Sequence, residues 1–407
     1  MNRQYIPRSI EPVLQRIVGQ FPAVTLTGPR QSGKTTVLKK LFGGTHRYVS
    51  MENPNVRAAA ISDPQGFLAI NSPPVIIDEI QNAPILLPYI KEIIDNHRDE
   101  AGQFILTGSQ NLALLENVTE SLAGRTAILR LLSMSQREIT NIEDTTFPWE
   151  VADNHNLRPL IALPQLWKTL FQGYYPELIS APSIDNEAWH GGYIQSYLER
   201  DVRSLRQVGN LFLFQSFIKI LAVRSGQLIS LSDIARDIGV SSNTAKHWLS
   251  ILEASFLVVI LPPYFVNAGK RLVKQPKVYF TDTGTLCYLI GIEKPEYAMS
   301  GPFAGAIFET AVVIEIYKRF LNRGQVPRVY FWRTSAGVEV DLFIDSGNRL
   351  IPIEIKNTAT AHPTMASSIQ TIFKDFPDRV TQGYVVYPGD TRLPLIPKVI
   401  ALPFAEL

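Results

Sequence analysis

Cysteine is nearly missing from this sequence: Cys287 stands alone. A lone thiol rules out a disulfide within the chain and any zinc site built from several cysteines, which fits a reducing, cytoplasmic setting. Charge of one sign is lacking too. With Lys+Arg 39 against Asp+Glu 37 the formal net charge is +2, so neither an acidic tail protein nor a strongly basic nucleic-acid coat is in view. Contact with a polyanion would have to come from a local patch. Long apolar runs are missing as well. The longest, Phe256 to Leu261, is cut off by Pro262 and Pro263 and is far too short to span a bilayer. The opening stretch, Met1 to Gln15, carries arginines but no apolar core, so no secretory signal is expected. No low-complexity tract and no internal repeat is legible. What remains is 407 residues of ordinary composition, which predicts a soluble globular protein with two or three cores.

The first third carries the most specific signal. Val24-Thr25-Leu26-Thr27 reads as a short buried strand, and it runs into Gly28-Pro29-Arg30-Gln31-Ser32-Gly33-Lys34-Thr35. A helical pattern, Thr36 to Leu41, follows. Strand before and helix after is the context that a phosphate-binding P-loop requires. Gly28 and Gly33 let the backbone wrap so that amide N–H groups face the phosphates, and the helix N-terminus adds its positive dipole end. Lys34 reaches the β and γ phosphates of ATP, and the Thr35 hydroxyl ligates Mg²⁺. The nucleotide-binding set from this segment is Gly28, Arg30, Ser32, Gly33, Lys34, Thr35 and Thr36. A second element agrees: Val75-Ile76-Ile77 is a β-branched run that ends in Asp78-Glu79. Asp78 is placed to hold Mg²⁺, directly or through water, and Glu79 to polarise the attacking water as base.

A third strand, Phe104 to Thr107, ends in Gly108-Ser109-Gln110, whose polar tip suits a γ-phosphate sensor at Ser109 or Thr107. Arg125 precedes a further strand-like run, Ala127 to Leu132, and two readings of it stay open. As a catalytic arginine finger it would serve a neighbouring copy and imply a homo-oligomer; otherwise it is a surface ion-pair partner.

These motifs carry a resemblance. The lead-in Tyr5-Ile6-Pro7-Arg8, the loop "LTGPRQSGKTT", "IIDEIQ" and "ILTGSQ" resemble the AAA-type P-loop ATPases of the additional-strand kind. The rest of the chain resembles the domain of undefined role that accompanies them. The resemblance implies an α/β fold with a parallel sheet flanked by helices, the third strand lying between the other two, and the phosphates at the strands' carboxyl ends.

Beyond residue 140 the patterns change. Asn141 to Arg158 is polar and acidic and reads as a connector; Leu160 to Leu170 and Trp189 to Leu205 read as helices. Within the second, Tyr197-Leu198-Glu199-Arg200-Asp201-Val202 reads as a solvated or inter-domain face. Phe212 to Val223 is apolar at helical spacing. A short helix capped by Ser230 and stopped by Gly239 then leads into a second one opened by Ser241-Ser242-Asn243-Thr244. With Phe256 to Leu261 as the first strand of a wing, this predicts a winged helix. Ser242, Asn243, Lys246 and His247 are suitable for a DNA groove, and Arg271, Lys274 and Lys277 for phosphate contacts. Protein docking, or service as a spacer within an ATPase, is the alternative use of such a module.

The last third predicts a hairpin. Val338 to Ile344 alternates polar with apolar, Asp345-Ser346-Gly347-Asn348 is a turn, and Leu350 to Lys356 returns. With Gly347-Asn348 as the loop, position i faces position 695 − i, which sets Asp341 opposite Glu354 and Glu339 opposite Lys356, all on one face. Carboxylates placed side by side repel unless a cation neutralises them, which predicts Mg²⁺ or Mn²⁺ there. Lys356 would orient or deprotonate a water, or stabilise developing charge. The helix that begins at Ala306 brings Glu309 as a further carboxylate. This order is similar to the PD-(D/E)XK nuclease core, which implies Glu309, Asp341 and Glu354 as metal ligands and Lys356 as catalytic; Val340 stands where that motif has proline.

The expected organisation is an ATPase core over 1–140, a helical lid or connector over 141–210, a winged helix over 211–300, and an α/β restriction-endonuclease-like domain over 301–407. The expected activity is ATP hydrolysis coupled to action on DNA. Its rival is an ATP-driven switch that binds a protein partner and keeps an inactive C-terminal domain.

Overall fold

Strands β1 (Ala23–Thr27), β2 (Arg47–Ser50), β3 (Val75–Asp78), β4 (Phe104–Gly108) and β5 (Thr126–Arg130) pair in the order β2-β3-β4-β1-β5 in the computed structural model. The model describes residues 5–109, 121–143, 146–150, 161–198, 210–264 and 275–407. Every pairing in this sheet is parallel. β1, β3 and β4 are buried along their whole length, which is why they read as apolar runs rather than as alternation. Alternate residues still sort to opposite faces. Val75, Ile77, Phe104 and Leu106 pack under α3 (Pro54–Ser62), α4 (Pro64–Ile70) and α5 (Leu86–Asn96). Val24, Leu26, Ile76 and Ile105 pack under α1 (Glu11–Val18) and α2 (Lys34–Phe42). β4 lies between β3 and β1, as the resemblance implied. Because the strands are parallel, Thr27, Asp78 and Gly108 all end at one edge.

A short helix, α6 (Gln136–Ile139), follows, closed by a capping box between Ser135 and Glu138. Helices α7 (Leu163–Gln172), α8 (Pro176–Ser180) and α9 (Asn186–Ser196) come next. Tyr197 and Leu198, expected on a solvated or inter-domain face, are buried; the remainder of that phrase lies outside the described residues. The next unit holds α10 (Leu211–Val223), α11 (Leu231–Ile238) and α12 (Ser242–Ala254). Ser230 caps α11 by accepting from the Asp233 N–H, Gly239 leaves it at φ +74°, and Ser241 caps α12. β6 (Val258–Leu261) and β7 (Lys277–Phe280) then pair antiparallel, and α13 (Thr283–Leu289) and α14 (Pro295–Ser300) close the segment.

The C-terminal sheet contains β8 (Val329–Arg333), β9 (Glu339–Asp345), β10 (Leu350–Ile355), β11 (Gly383–Tyr387), β12 (Leu393–Ile396) and β13 (Val399–Pro403) in the order β12-β13-β11-β10-β9-β8. The register of β9 on β10 is the expected one: Asp345 faces Leu350 and Leu342 faces Ile353. Helix α15 (Ala304–Asn322) covers one face through Ile307, Val312 and Ile316; α16 (Ser367–Asp375) covers the other through Ile369 and Ile372. One contiguous apolar cluster runs from Phe147 to Leu407, so the segments beyond the first sheet share a core. Among the described residues, no helix is long and apolar enough to cross a membrane.

Candidate functional site

The phosphate loop leaves β1 under tight steric control. Gly28 sits at φ +151°, and a Cβ there would lie 2.0 Å from the Leu131 carbonyl oxygen, so no other residue fits. Gly33, at φ +91°, opens α2. Behind the loop, Lys34 is buried and its ammonium donates to the Gly28 and Pro29 carbonyls, each at 2.8 Å. Thr36 is exposed on the first turn, Arg30 approaches Glu52 at 4.0 Å, and Ser32 is fully buried. The Ser32 Oγ finds no partner among the described residues.

The second and third strands bring their ends to the same place. Thr35 Oγ1 donates to Asp78 Oδ1 at 3.1 Å. Tyr48 OH donates to Asp78 Oδ2 at 2.6 Å, and Thr107 Oγ1 donates to Asp78 as well. Burial, and then the Asp78 carboxylate, push the Tyr48 phenol above its usual range. Glu79 occupies the left-handed region at φ +54°, an uncommon backbone state for a side chain of its kind. Its Oε2 accepts from the Ser109 hydroxyl at 3.1 Å and the Ser109 N–H at 3.2 Å, and also from Gln81. A cleft of about 330 Å³ spans Lys34, Thr35, Glu52 and Glu79 and is walled by Tyr193 of α9. A second hollow of about 380 Å³ adjoins Gly33 and Thr36 and is lined by Tyr5, Ile6, Met134 and Pro176. Of the two sensor candidates, Ser109 meets Glu79 and Thr107 meets Asp78.

Arg125 lies elsewhere. It precedes Thr126, which pairs with Ala23 at the start of β1, so it stands at the sheet edge opposite its own P-loop. Its guanidinium forks onto Asp95, with Nε at 2.6 Å and Nη2 at 2.9 Å. The ion pair, one of its two readings, is formed within this chain.

The C-terminal cluster assembles with one decisive change. Asp341 and Glu354 come together across the hairpin, Asp341 Oδ2 accepting from the Ile355 N–H at 2.8 Å, and α15 does deliver Glu309. A cation beside them is Lys277, from β7. Its ammonium is 2.6 Å from Glu339, 3.0 Å from Glu309 and 4.0 Å from Asp341, with only 4% of the side chain exposed. Tyr279 OH adds a 2.6 Å bond to Glu309. Glu309, Asp341 and Glu354, the expected ligand set, are gathered in one cluster, and the tethered Lys277 ammonium supplies neutralising charge beside them. Among the described residues, no three His, Cys, Asp or Glu side chains are spaced to close around a metal ion. Lys277 is corrected as a contact for DNA phosphates, since it is buried here. Arg271 and Lys274 lie outside the described residues.

Electrostatics follows this packing. Burial, then Glu309 and Glu354, push the Asp341 carboxyl well above its usual range, against the pull of Lys277 and Lys356. Burial alone would lower Lys277, but Glu309, Asp341 and Glu339 more than offset it and hold the ammonium charged. Lys356 pairs with Glu354, whose other oxygen accepts from Ser368 Oγ at 2.8 Å. Burial would lower Lys356 too, yet Glu354 and Asp341 more than offset it and raise the ammonium above its usual range.

Two residues escaped the reading of the sequence in their actual roles. Lys277 was visible only as a basic residue past a wing. Arg8 was visible only as the last letter of the lead-in, and it proves to be buried against the P-loop.

Comparison with known proteins adds the family. A model described as an AAA domain matches residues 20–140, and two domains of unknown function, DUF8612 and DUF4143, match 163–296 and 304–407. The uncharacterized protein Rv2008c of Mycobacterium tuberculosis is 33% identical over 396 residues, covering 97% of this chain and 82% of that protein. The uncharacterized protein Mb2031c of Mycobacterium bovis matches to the same extent. Among solved structures, the Walker-type ATPase paby2304 of Pyrococcus abyssi is similar at 13% identity and a TM-score of 0.46, over 71% of this chain and 97% of that one. Such a loose likeness does not bear on the assignment. Given the AAA-domain match around the phosphate loop and the identity along nearly the whole chain, this protein belongs to one family with the two mycobacterial proteins, a P-loop ATPase family.

Proposed function

We propose that this protein hydrolyses ATP with Mg²⁺ at the carboxyl edge of its first sheet. The observation that carries the reading is the convergence there of Thr35, Asp78, Glu79 and Ser109 beside the loop that holds Lys34. The residues fit the nucleotide. The Lys34 ammonium, parked on two loop carbonyls, can turn to the phosphates, and the buried Ser32 hydroxyl is left over for a further bond. Thr35 and Asp78 would hold Mg²⁺, which neutralises charge on the β and γ phosphates. Glu79 is aimed by Ser109 and takes the proton of the attacking water; Ser109 and Thr107 couple the γ-phosphate position to the two acids. Glu79→Gln should bind ATP normally and turn over at least about a hundredfold more slowly, because it removes the base but not the cradle. Equal turnover by wild type and Glu79→Gln sinks the assignment of the base.

A second reading concerns DNA. The capped pair α11 and α12 with the two-stranded β6–β7 sheet supports a winged helix, in which Ser242, Asn243 and Lys246 are exposed on the leading turns of α12 and His247 is half-buried. That surface suits duplex DNA, with ATP turnover controlling the grip. A mobility-shift assay on sheared duplex, with and without ATP, tests it; no retardation in either condition leaves the protein-docking switch as the reading. The C-terminal unit is taken as nuclease-like in layout and without cleavage. The support is Lys277 seated among its carboxylates.

A further inference from the structure

Burying a guanidinium is unfavourable unless its donors all find acceptors. Arg8 is 5% exposed, and each of its nitrogens is committed. Nη1 donates to the Ser32 carbonyl at 2.6 Å, Nη2 to the Leu132 carbonyl at 2.9 Å, and Nε to Glu138 Oε1 at 3.0 Å. Glu138 is itself held in place, accepting from the Ser9 N–H and the Ser135 N–H, each at 2.7 Å. The guanidinium thus joins the P-loop, the chain leaving β5 and the first turn of α6.

We infer that Arg8 is a positioning residue for the phosphate loop: it aims the Gly33 N–H at the phosphates by anchoring the Ser32 carbonyl behind them. The Ser32 carbonyl and the Gly33 N–H belong to one peptide unit, which is planar and trans, so the two point in opposite directions. A donor that pins the carbonyl outward turns the N–H inward. Gly33, at φ +91°, brings no Cβ to restrict the orientation of that peptide, so a donor on its carbonyl is what sets it. Charge is not the means, since Arg8 is neutralised by Glu138 within a buried pair. The effect is directional and falls on binding. Glu79 and Ser109 stand across the site and keep their own bonds.

This inference rests on the ATP reading, and the experiment separates the two. Steady-state hydrolysis is measured on the full chain as wild type, Arg8→Ala, Arg8→Lys and Lys34→Ala. Arg8→Ala should raise KM for ATP about tenfold, the loss of one directed, charge-assisted donor, with kcat within about threefold of wild type. Arg8→Lys should fall between, because an ammonium can still donate to some of these acceptors but cannot fork onto all three. Wild-type KM in Arg8→Ala, even with a lowered melting temperature, makes the residue purely structural and overturns the inference. Should Arg8→Ala fail to fold, Arg8→Lys and Glu138→Gln carry the test, and wild-type KM in both overturns it. A wild type no faster than Lys34→Ala strikes the hydrolysis reading alone. Titration with a fluorescent ATP analogue then decides: affinity about tenfold weaker in Arg8→Ala supports the inference, and unchanged affinity overturns it.

Discussion

Replacing Lys277 with methionine removes a single positive charge from the C-terminal cluster and keeps the length of the side chain. The consequence can be worked from its neighbours. Arg333 stays 2.8 Å from Glu339, and Lys356 stays on Glu354, so those two acids keep a partner. Glu309 and Asp341 lose their nearest cation: the first keeps the Tyr279 hydroxyl, and the second keeps the Ile355 N–H and the weaker pull of Lys356. Breaking a buried pair by removing one partner costs about 3–5 kcal/mol. Because 21% of the Glu309 side chain reaches solvent, the lower figure is the one to expect, about 3 kcal/mol. In urea unfolding that is a midpoint lower by about 1 M, given a slope of roughly 2–3 kcal/mol per molar. The pH dependence has a definite sign. Asp341 already titrates above its ordinary value in the fold, and losing Lys277 raises it further. A carboxyl with a raised folded value contributes stability that is present below its unfolded value and lost as pH rises through its folded value. The gap between variant and wild type should therefore be full at alkaline pH and shrink as the pH falls and Asp341 takes up its proton. Lys277→Met combined with Glu309→Gln should recover part of the loss at the higher pH. An unchanged midpoint, or a gap that widens towards acid, would refute the account of Lys277 as the counter-ion of this cluster.

Three further outcomes are expected. Gly28→Ala drives a Cβ to 2.0 Å from the Leu131 carbonyl, so it should distort the loop and abolish detectable ATP binding by calorimetry; retained affinity would contradict the close approach. Arg125→Ala should leave ATP turnover within about twofold of wild type, because it removes an exposed ion pair with Asp95. A loss of a hundredfold or more would favour the finger reading. Lys246→Ala should weaken duplex binding and lower the log–log salt slope by about one, the mark of a single lost phosphate contact; an unchanged slope would move α12 to the docking role.

The parts of this protein that could be read in advance are those whose chemistry is local. In the P-loop the strand, the turn and the first helical turn are contiguous, and the phosphate cradle is made of the backbone of that one stretch. The β9–β10 hairpin was legible for a similar reason: a tight turn at Gly347-Asn348 sets the pairing, and the alternation of side chains then puts Asp341 across from Glu354. Ion pairs between distant segments leave no such trace. Lys277 reaches Glu309 from another unit of the chain, and its sequence neighbours say only that a basic residue follows a wing. Arg8 meets Glu138 across 130 positions, and Glu315 of α15 accepts from the Gln136 N–H across 179, joining the ATPase edge to the C-terminal unit. Burial makes these contacts specific, because a desolvated charge must find its partner wherever the fold places it. Packing alone therefore settled that the C-terminal carboxylates meet an ammonium from their own chain.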